Sequence, residues 1–122
     1  MYRSLNYYGG YDNKIITQEI SLDWGADDGK DFVPLNVDMD EELQYYCYML
    51  CKGYDIDFTL VMALIAHESN YENECVSRTN DYGLMQINKC NHEWLTETLG
   101  VNDFLDPEQN MRAGCFVLRQ LF

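Results

Sequence analysis

An unbroken apolar run, FTLVMALIA from Phe58 to Ala66, leads almost directly into a glutamate, Glu68. Apolar residues at nearly every position are typical of a helix that is buried on all sides. Glu68 therefore falls at or near the C-terminal end of a predicted core helix. A carboxyl there is poorly solvated and lies at the negative end of the helix dipole, and both effects favour its protonated form. Cleavage of a glycosidic bond requires such a protonated carboxyl, because the leaving oxygen must receive a proton.

Size and composition predict one globular domain and argue against nucleic acid and membranes as partners. The chain has 122 residues, of which 47% are apolar, so it can bury a core. Its net charge of −13 argues against binding to nucleic acid or to an anionic membrane surface. No stretch approaches the ~20 apolar residues of a membrane span, and the N-terminal MYRSLNYYGGYDNK lacks the apolar centre of a signal peptide. We expect no nucleic-acid partner and no stable membrane insertion.

Local signals divide the chain into an N-terminal extension, residues 1–37, and a helical domain, residues 38–122. In the extension, apolar and polar residues alternate from Ile16 to Trp24, which predicts one strand. Asp38, with Glu41 three residues later, is the predicted cap of the first helix, and Gly53 is its predicted end. Asp57 is the predicted cap of the helix that leads to Glu68.

The second half of the domain predicts a loop and two more helices. Residues 70–88 are polar and indicate a loop or a small irregular hairpin. A short helix is expected from His92 to Leu99, ending at Gly100. Asp106 caps a last helix that begins at Pro107, a strong start signal. The predicted apolar face of that helix consists of Met111, Cys115, Leu118 and Phe122, and Gly114 would allow another helix to approach closely.

The cysteines predict neither a metal site nor a disulfide framework. They number five, an odd count: Cys47, Cys51, Cys75, Cys90 and Cys115. Cys47 and Cys51 are four residues apart and so share one helix face. Neither His67 nor His92 has zinc-type spacing to a second ligand, so no metal is expected. Buried free thiols are the expected state, with one or two disulfides as the alternative.

Three motifs, in order and at matching spacing, resemble the lytic transglycosylase domain of the lysozyme superfamily, of the soluble lytic transglycosylase type. The first is Glu68-Ser69, and the second is Gly83-Leu84-Met85-Gln86-Ile87. The third, LDPEQNMRAG from Leu105 to Gly114, is similar to the helix start LDPxxNIxxG. The resemblance covers roughly Asp38 to Phe122. It implies a mainly α, lysozyme-like (α+β) fold with a long active-site loop or small hairpin.

The resemblance also implies an activity that needs one carboxyl and no cofactor. In this family a glutamate, here Glu68, protonates the glycosidic oxygen between N-acetylmuramic acid and N-acetylglucosamine of peptidoglycan. It then takes the proton of the muramic acid C6 hydroxyl, and a 1,6-anhydro ring closes without water. The implied partner is the peptidoglycan glycan strand, bound by a monomer. Because that substrate lies outside the cytoplasm, we expect an extracytoplasmic, secreted or cell-wall-associated protein.

Further positions follow from the resemblance as expected substrate-binding residues. Ser77 falls where family members hold a serine that hydrogen-bonds the catalytic carboxylate, and Gln86 where an amide contacts substrate acetamido groups. Met85 is expected beneath a sugar ring, with a core position as the alternative. The full set is Ser69, Ser77, Tyr82, Gly83, Met85, Gln86 and Asn110. A purely structural amide is the alternative for Asn110.

Two departures from the family pattern leave alternatives open. The segment from Asn80 to Asn88 also resembles the DYGxxQIN turn of animal-type lysozymes, in which the aspartate is a second catalytic carboxylate. Asp81 would then make the chain a hydrolytic muramidase. The chain also ends at Phe122, before the Ala-Tyr-Asn segment of the family, so we expect a domain truncated at its C-terminal end. A non-catalytic glycan-binding domain is the further alternative.

Overall fold

The computed structural model describes residues 31–122. In this part of the chain, α1 (Glu41–Tyr54) and α2 (Phe58–Ser69) precede a two-stranded antiparallel hairpin, β1 (Asp81–Tyr82) and β2 (Ile87–Asn88). A short 3-10 helix (Lys89–Asn91), α3 (His92–Leu99) and α4 (Pro107–Arg119) follow. The fold is mainly α with a small hairpin, as expected. The strand predicted between Ile16 and Trp24 lies outside the described residues.

Helix α1 begins two residues later than predicted, because Asp40 and not Asp38 is its cap. The Asp40 carboxylate accepts a hydrogen bond from the Leu43 amide at 2.7 Å. The preceding segment is fixed by Gln44, whose side chain exchanges two hydrogen bonds with the Leu35 backbone and donates a third to the Met39 carbonyl. At its other end, α1 continues through Gly53 and stops where Asp55 adopts a left-handed conformation, with φ 56°.

Helix α2 is capped by Asp57, as predicted, through a hydrogen bond from the Leu60 amide. The expectation that it is buried on all sides is wrong. One face, which includes Val61, Met62 and Ile65, lies in the core, but Leu60 is 42% exposed. An apolar sequence does not by itself decide which side of a helix is covered, because packing partners supply the cover. Among the described residues, no helix is both long and apolar enough to cross a membrane.

The hairpin pairs Asp81 with Asn88 and Tyr82 with Ile87, so the predicted loop or small hairpin is confirmed. Helix α3 ends at Gly100, with φ 75°, and α4 begins at Pro107 under the Asp106 cap, also as predicted.

The apolar face of α4 lies against α1 and the hairpin, with one difference from the sequence analysis. Met111, Cys115 and Leu118 are buried, but the helix ends at Arg119 and Phe122 is 69% exposed, so its assignment to this face is wrong. The close approach predicted at Gly114 exists, but the neighbour is a side chain, not a helix. A Cβ atom there would lie 2.3 Å from Sδ of Met85.

Candidate active site

Glu68 is the second-last residue of α2, as the sequence predicted. Its side chain is half-buried, and its Oε2 atom is shielded from solvent. The chain reverses direction directly afterwards, because Asn70 and Tyr71 both have left-handed φ values, of 52° and 63°. A positive φ is uncommon for a residue as bulky as tyrosine and marks a constrained turn. Glu68 is thus fixed at a helix end while part of its side chain remains accessible.

The turn after β1 is fixed to α4 by one buried amide, Asn110. Its Oδ1 accepts a hydrogen bond from the Met85 amide at 2.8 Å, and its Nδ2 donates to the carbonyls of Tyr82 and Phe104. Gly83 makes this approach possible, because a Cβ atom there would lie 2.3 Å from Asn110 Nδ2 and 2.6 Å from the Phe104 oxygen. Gly83 also has φ 78°, a left-handed value that favours glycine. In this structure Asn110 has the structural role that the sequence left as its alternative.

Gln86 holds the turn from within. Its Nε2 donates to the carbonyls of Cys75 and Gly83, at 3.1 and 2.9 Å, and the residue is 1% exposed. Both amide protons are therefore used inside the protein, which leaves only the side-chain oxygen for another partner. Because the side chain is also buried, a contact between this amide and a substrate acetamido group would require the turn to rearrange.

Two further predicted contact residues are buried. Met85 is fully buried against Gly114, so the core position that the sequence left open is the observed one. Ser69 is 5% exposed, and its hydroxyl donates to the Ile65 carbonyl one turn earlier in α2. Neither side chain faces solvent in this structure, so each would act on a substrate only by shaping the surface above it.

Asp81 is completely buried, and its carboxylate is held by three side chains of the same loop. Oδ2 accepts hydrogen bonds from the hydroxyls of Ser77 and Thr79, and Oδ1 accepts one from Asn88 Nδ2. The Ser77 hydroxyl also accepts from the Asp81 amide at 3.0 Å. The Ser77 hydroxyl has a single proton, which it donates to Asp81 Oδ2 at 2.7 Å. A hydrogen bond from Ser77 to Glu68 would require this bond to Asp81 to break.

A stack of rings supports the hairpin from the side of α3. The His92 ring lies parallel to Phe104, with centroids 3.7 Å apart, and meets the half-buried Tyr82 ring edge-on at 4.9 Å. Nε2 of His92 lies 3.0 Å from the Ile87 carbonyl oxygen. Because that oxygen can only accept, a hydrogen bond between them requires the ring proton to be on Nε2. Burial lowers the pKa of His92, opposed by the Ile87 hydrogen bond and reinforced by Lys89.

Sequence reasoning missed the residues that hold this loop. Thr79, Asn88 and His92 were not assigned a role, yet each contacts Asp81 or the hairpin. A usable signal was present, since Ser77, Thr79 and Asp81 alternate as hydroxyl, hydroxyl and acid, a spacing that brings their side chains together in a tight turn. No comparable signal identifies His92, because its neighbours are set by tertiary packing. Within residues 31–122, no group of three or more His, Cys, Asp and Glu side chains is arranged to hold a metal ion.

A helical domain with a glutamate at the end of a core helix, followed by a hairpin fixed to the last helix, defines the lysozyme-like class. The chain belongs to the Transglycosylase SLT domain family, which matches residues 47–122. This match confirms the resemblance that the three motifs indicated.

Curated relatives carry a consistent name. "Membrane-bound lytic murein transglycosylase F" of Serratia proteamaculans (strain 568) is 34% identical over 67 residues, which are 55% of this chain and 13% of that protein. The protein of the same name from Yersinia pestis (strain Pestoides F) is 33% identical over 84 residues, 68% of this chain and 16% of that protein. The chain therefore spans about a sixth or less of the length of these relatives.

Proposed function

We propose that this chain is a peptidoglycan lytic transglycosylase that cleaves the β-1,4 bond between N-acetylmuramic acid and N-acetylglucosamine and leaves a 1,6-anhydro-muramic end. Membership of the SLT family supports the class of activity, as do relatives named lytic murein transglycosylases. The position of Glu68 supports its assignment to the chemistry. The proposed substrate places the protein outside the cytoplasm, where a monomer would act on glycan strands.

In the proposed reaction Glu68 acts first as an acid and then as a base. Its proton passes to the glycosidic oxygen as the bond to C1 of the muramic acid breaks. The C6 hydroxyl of the same sugar then bonds to C1, and its proton returns to Glu68. The carboxyl ends in its starting state, no water is consumed, and no second carboxylate is needed, in contrast to the two-carboxylate scheme of most glycosidases.

The observation that carries this choice over a muramidase is the burial of Asp81. A second carboxylate that attacks the sugar, or activates a water against it, must reach the substrate face. Asp81 is 0% exposed and accepts hydrogen bonds from Ser77, Thr79 and Asn88. To act as nucleophile or base it would have to break these bonds and leave the interior. We therefore assign Asp81 to the architecture of the loop.

The predicted contact residues divide into two groups in this proposal. Tyr82 and Ser77 are partly exposed and would meet the glycan directly. The buried residues would shape the loop from beneath, and they are Ser69, Gly83, Met85, Gln86 and Asn110. Their polar groups hold backbone in place, so substitutions there should reduce activity through the shape of the loop and not through a lost substrate contact.

The deciding experiment is mass spectrometry of muropeptides released from purified sacculi. A 1,6-anhydro product is lighter than the corresponding hydrolysis product by one water. Anhydro ends as the main product are expected from the chain, and none from Glu68→Gln under the same conditions. Reducing muramic ends as the sole product would overturn the proposal in favour of a muramidase. Sedimentation with sacculi without any released product would instead support a glycan-binding domain.

A further inference from the structure

Three cysteines from two helices meet in the core, outside the proposed active site. Cys47 and Cys51 are on α1 and Cys115 is on α4, and their exposed fractions are 0%, 1% and 0%. The Cys51 thiol lies within side-chain hydrogen-bonding reach of both other thiols. All three are free thiols in this structure. We refer to Cys47, Cys51 and Cys115 as the thiol cluster.

We infer that the thiol cluster is a site of disulfide formation, in which an oxidant of the disulfide class links Cys51 of α1 to Cys115 of α4. This inference does not depend on the proposed function, because none of the three cysteines takes part in the proposed reaction of Glu68. It requires only that the chain meet a small-molecule or protein disulfide, as it would in an oxidising compartment.

Helix geometry and thiol contacts together select Cys51–Cys115 among the three pairs. The Cys115 thiol lies within hydrogen-bonding reach of Cys51, whereas its interaction with Cys47 is electrostatic only. Side chains four residues apart on a helix have Cβ atoms about 5–6 Å apart, whereas a disulfide needs about 3.5–4.5 Å. A Cys47–Cys51 bond would therefore distort α1. Cys51 and Cys115 belong to different helices and already touch through their thiols. Bond formation there needs a small approach of two sulfur atoms and leaves both helices intact.

The electrostatics of the cluster favour Cys51 as the attacking group. Hydrogen bonds from Cys115 and then Cys47 lower the pKa of Cys51, against the opposing effect of burial. The pKa values of Cys47 and Cys115 are raised, first by the hydrogen bond to Cys51 and then by burial. In the folded arrangement these directions favour Cys51 over its two neighbours as the thiolate, and a thiolate is the nucleophile in thiol–disulfide exchange.

The exchange balances with one external disulfide. The Cys51 thiolate attacks one sulfur of the oxidant, forms a mixed disulfide and releases one thiolate. Cys115, after loss of its proton, attacks the Cys51 sulfur and releases the second thiolate. The two protons end on the two released thiols, so the oxidant is reduced by two electrons and the protein loses two hydrogens. Because the cluster is buried, the oxidant reaches it only during folding or local opening, and the bond closes when Cys51 and Cys115 lie together as in the folded protein.

The consequence of the bond is a covalent clamp between α1 and α4. Helix α4 carries Asn110 and Gly114, which hold the turn from Gly83 to Gln86. A disulfide between helices that are far apart in sequence restricts the unfolded chain and stabilises the folded one. The same bond would hold α4 in its position beneath the turn.

Peptide mapping of the full chain tests the pairing. The reduced, denatured protein is refolded in a mixture of reduced and oxidised glutathione, free thiols are blocked with iodoacetamide, and trypsin is added without reductant. Cleavage after Lys30, Lys52, Arg112 and Arg119 places Cys47 and Cys51 on one peptide and Cys115 on another. We expect these two peptides joined, with the block on Cys47. A blocked Cys115, a Cys47–Cys51 bond or a link through Cys47 would each overturn the inference.

Thermal unfolding provides a second measurement. Reductant should lower the unfolding midpoint of the oxidised protein by several degrees, and it should leave the midpoints of Cys51→Ala and Cys115→Ala unchanged. Cys90→Ser is the matched control, since Cys90 is exposed and should retain the full shift. A reductant-dependent shift that persists in Cys51→Ala would also overturn the inference, even if one buried variant proved too unstable to study.

Discussion

At the scale of single residues, the two acids in the site region have opposite environments. Glu68 is half-buried at a helix end, with one carboxylate oxygen shielded, and Asp81 is fully enclosed by hydroxyl and amide donors. Sequence alone gave both residues a possible catalytic role. Their accessibility differs, and this difference supports the proposal that Glu68, and not Asp81, reaches the substrate.

Replacement of Glu68 by glutamine should remove the proposed proton donor and retain the shape of the side chain. We expect turnover to fall by about 10²–10⁴-fold, the usual cost of losing a general acid, with an unchanged far-UV circular dichroism spectrum. Rates of muropeptide release measure the effect. Glu72→Gln is the matched control, because Glu72 is an exposed loop acid close by. An active Glu68→Gln protein with unaltered products would exclude Glu68 as the acid.

Replacement of Asp81 by asparagine should affect stability more than chemistry. The new NH₂ group would face hydrogen-bond donors. Some of the hydrogen bonds that Ser77, Thr79 and Asn88 donate to Asp81 would therefore be lost. We expect the free energy of unfolding to fall by about 1–3 kcal/mol, with activity per folded molecule largely retained. Urea titration and muropeptide release at low temperature measure the two effects. A stable but inactive Asp81→Asn protein would contradict this assignment.

At the scale of elements, the hairpin depends on supports outside its own strands. Asn110 of α4 bonds to both ends of the turn, and His92 at the start of α3 stacks beside Tyr82. Two strands of two residues each are too short to be stable alone. The conformation of the hairpin is therefore determined by its contacts with α3 and α4.

Gly83→Ala should destabilise the protein strongly, because the added Cβ would overlap Asn110 Nδ2 and the Phe104 oxygen. We expect a loss of about 2–4 kcal/mol in the free energy of unfolding, measured by chemical denaturation. Gly100→Ala is a matched control, since Gly100 has a similar φ of 75° but nothing within 4 Å of its Cβ position. That change should cost only about 1 kcal/mol, the backbone part of the penalty. Equal losses in the two variants would show that the contact with Asn110 is unimportant.

The lowered pKa of His92 predicts a pH dependence of stability with a defined sign. The unfolded state binds the proton near the ordinary value of 6.5, above the folded value. The contribution of neutral His92 is therefore fully present above about pH 6.5 and is lost as the pH falls towards the folded pKa. We expect the unfolding midpoint to fall between about pH 7.5 and about pH 5.5, a range in which ordinary carboxylates stay ionised.

The change should be smaller in His92→Gln, which cannot titrate. The control is His67→Gln, because His67 is exposed on α2 and is the other histidine of the chain. The difference between the two variants isolates the contribution of His92. A full dependence in His92→Gln would assign the titration to another group.

At the scale of the whole molecule, charge is the dominant feature. The chain carries a net charge of −13, with 21 acidic and 8 basic residues. Such an excess keeps a protein soluble but makes its charges repel one another in the compact state. Three of the acids, Asp40, Asp57 and Asp106, cap helices, where the positive end of the helix stabilises them.

Added salt should therefore stabilise the molecule by screening its self-repulsion. We expect the thermal midpoint to rise as ionic strength increases from about 0.01 M to about 0.15 M, over which the screening length falls from about 30 to about 8 Å. Sodium chloride and choline chloride should act alike, whereas a neutral osmolyte gives no comparable dependence on ionic strength. A midpoint that decreases with salt would indicate that attractive ion pairs outweigh the repulsion.

The sequence by itself determined the helix caps at Asp57 and Asp106, the end of α3 at Gly100, the place of Glu68 and the family. These depend on local chemistry: a side chain that accepts from an amide three residues later, a glycine that allows a left-handed turn, and motifs at fixed spacing. Tertiary structure decided which predicted contact residues face inwards. Met85, Gln86 and Asn110 are buried because α4 lies beneath the turn, and α2 is exposed at Leu60 because no described element covers that side. Burial depends on neighbours from distant parts of the chain, and a local pattern does not contain them.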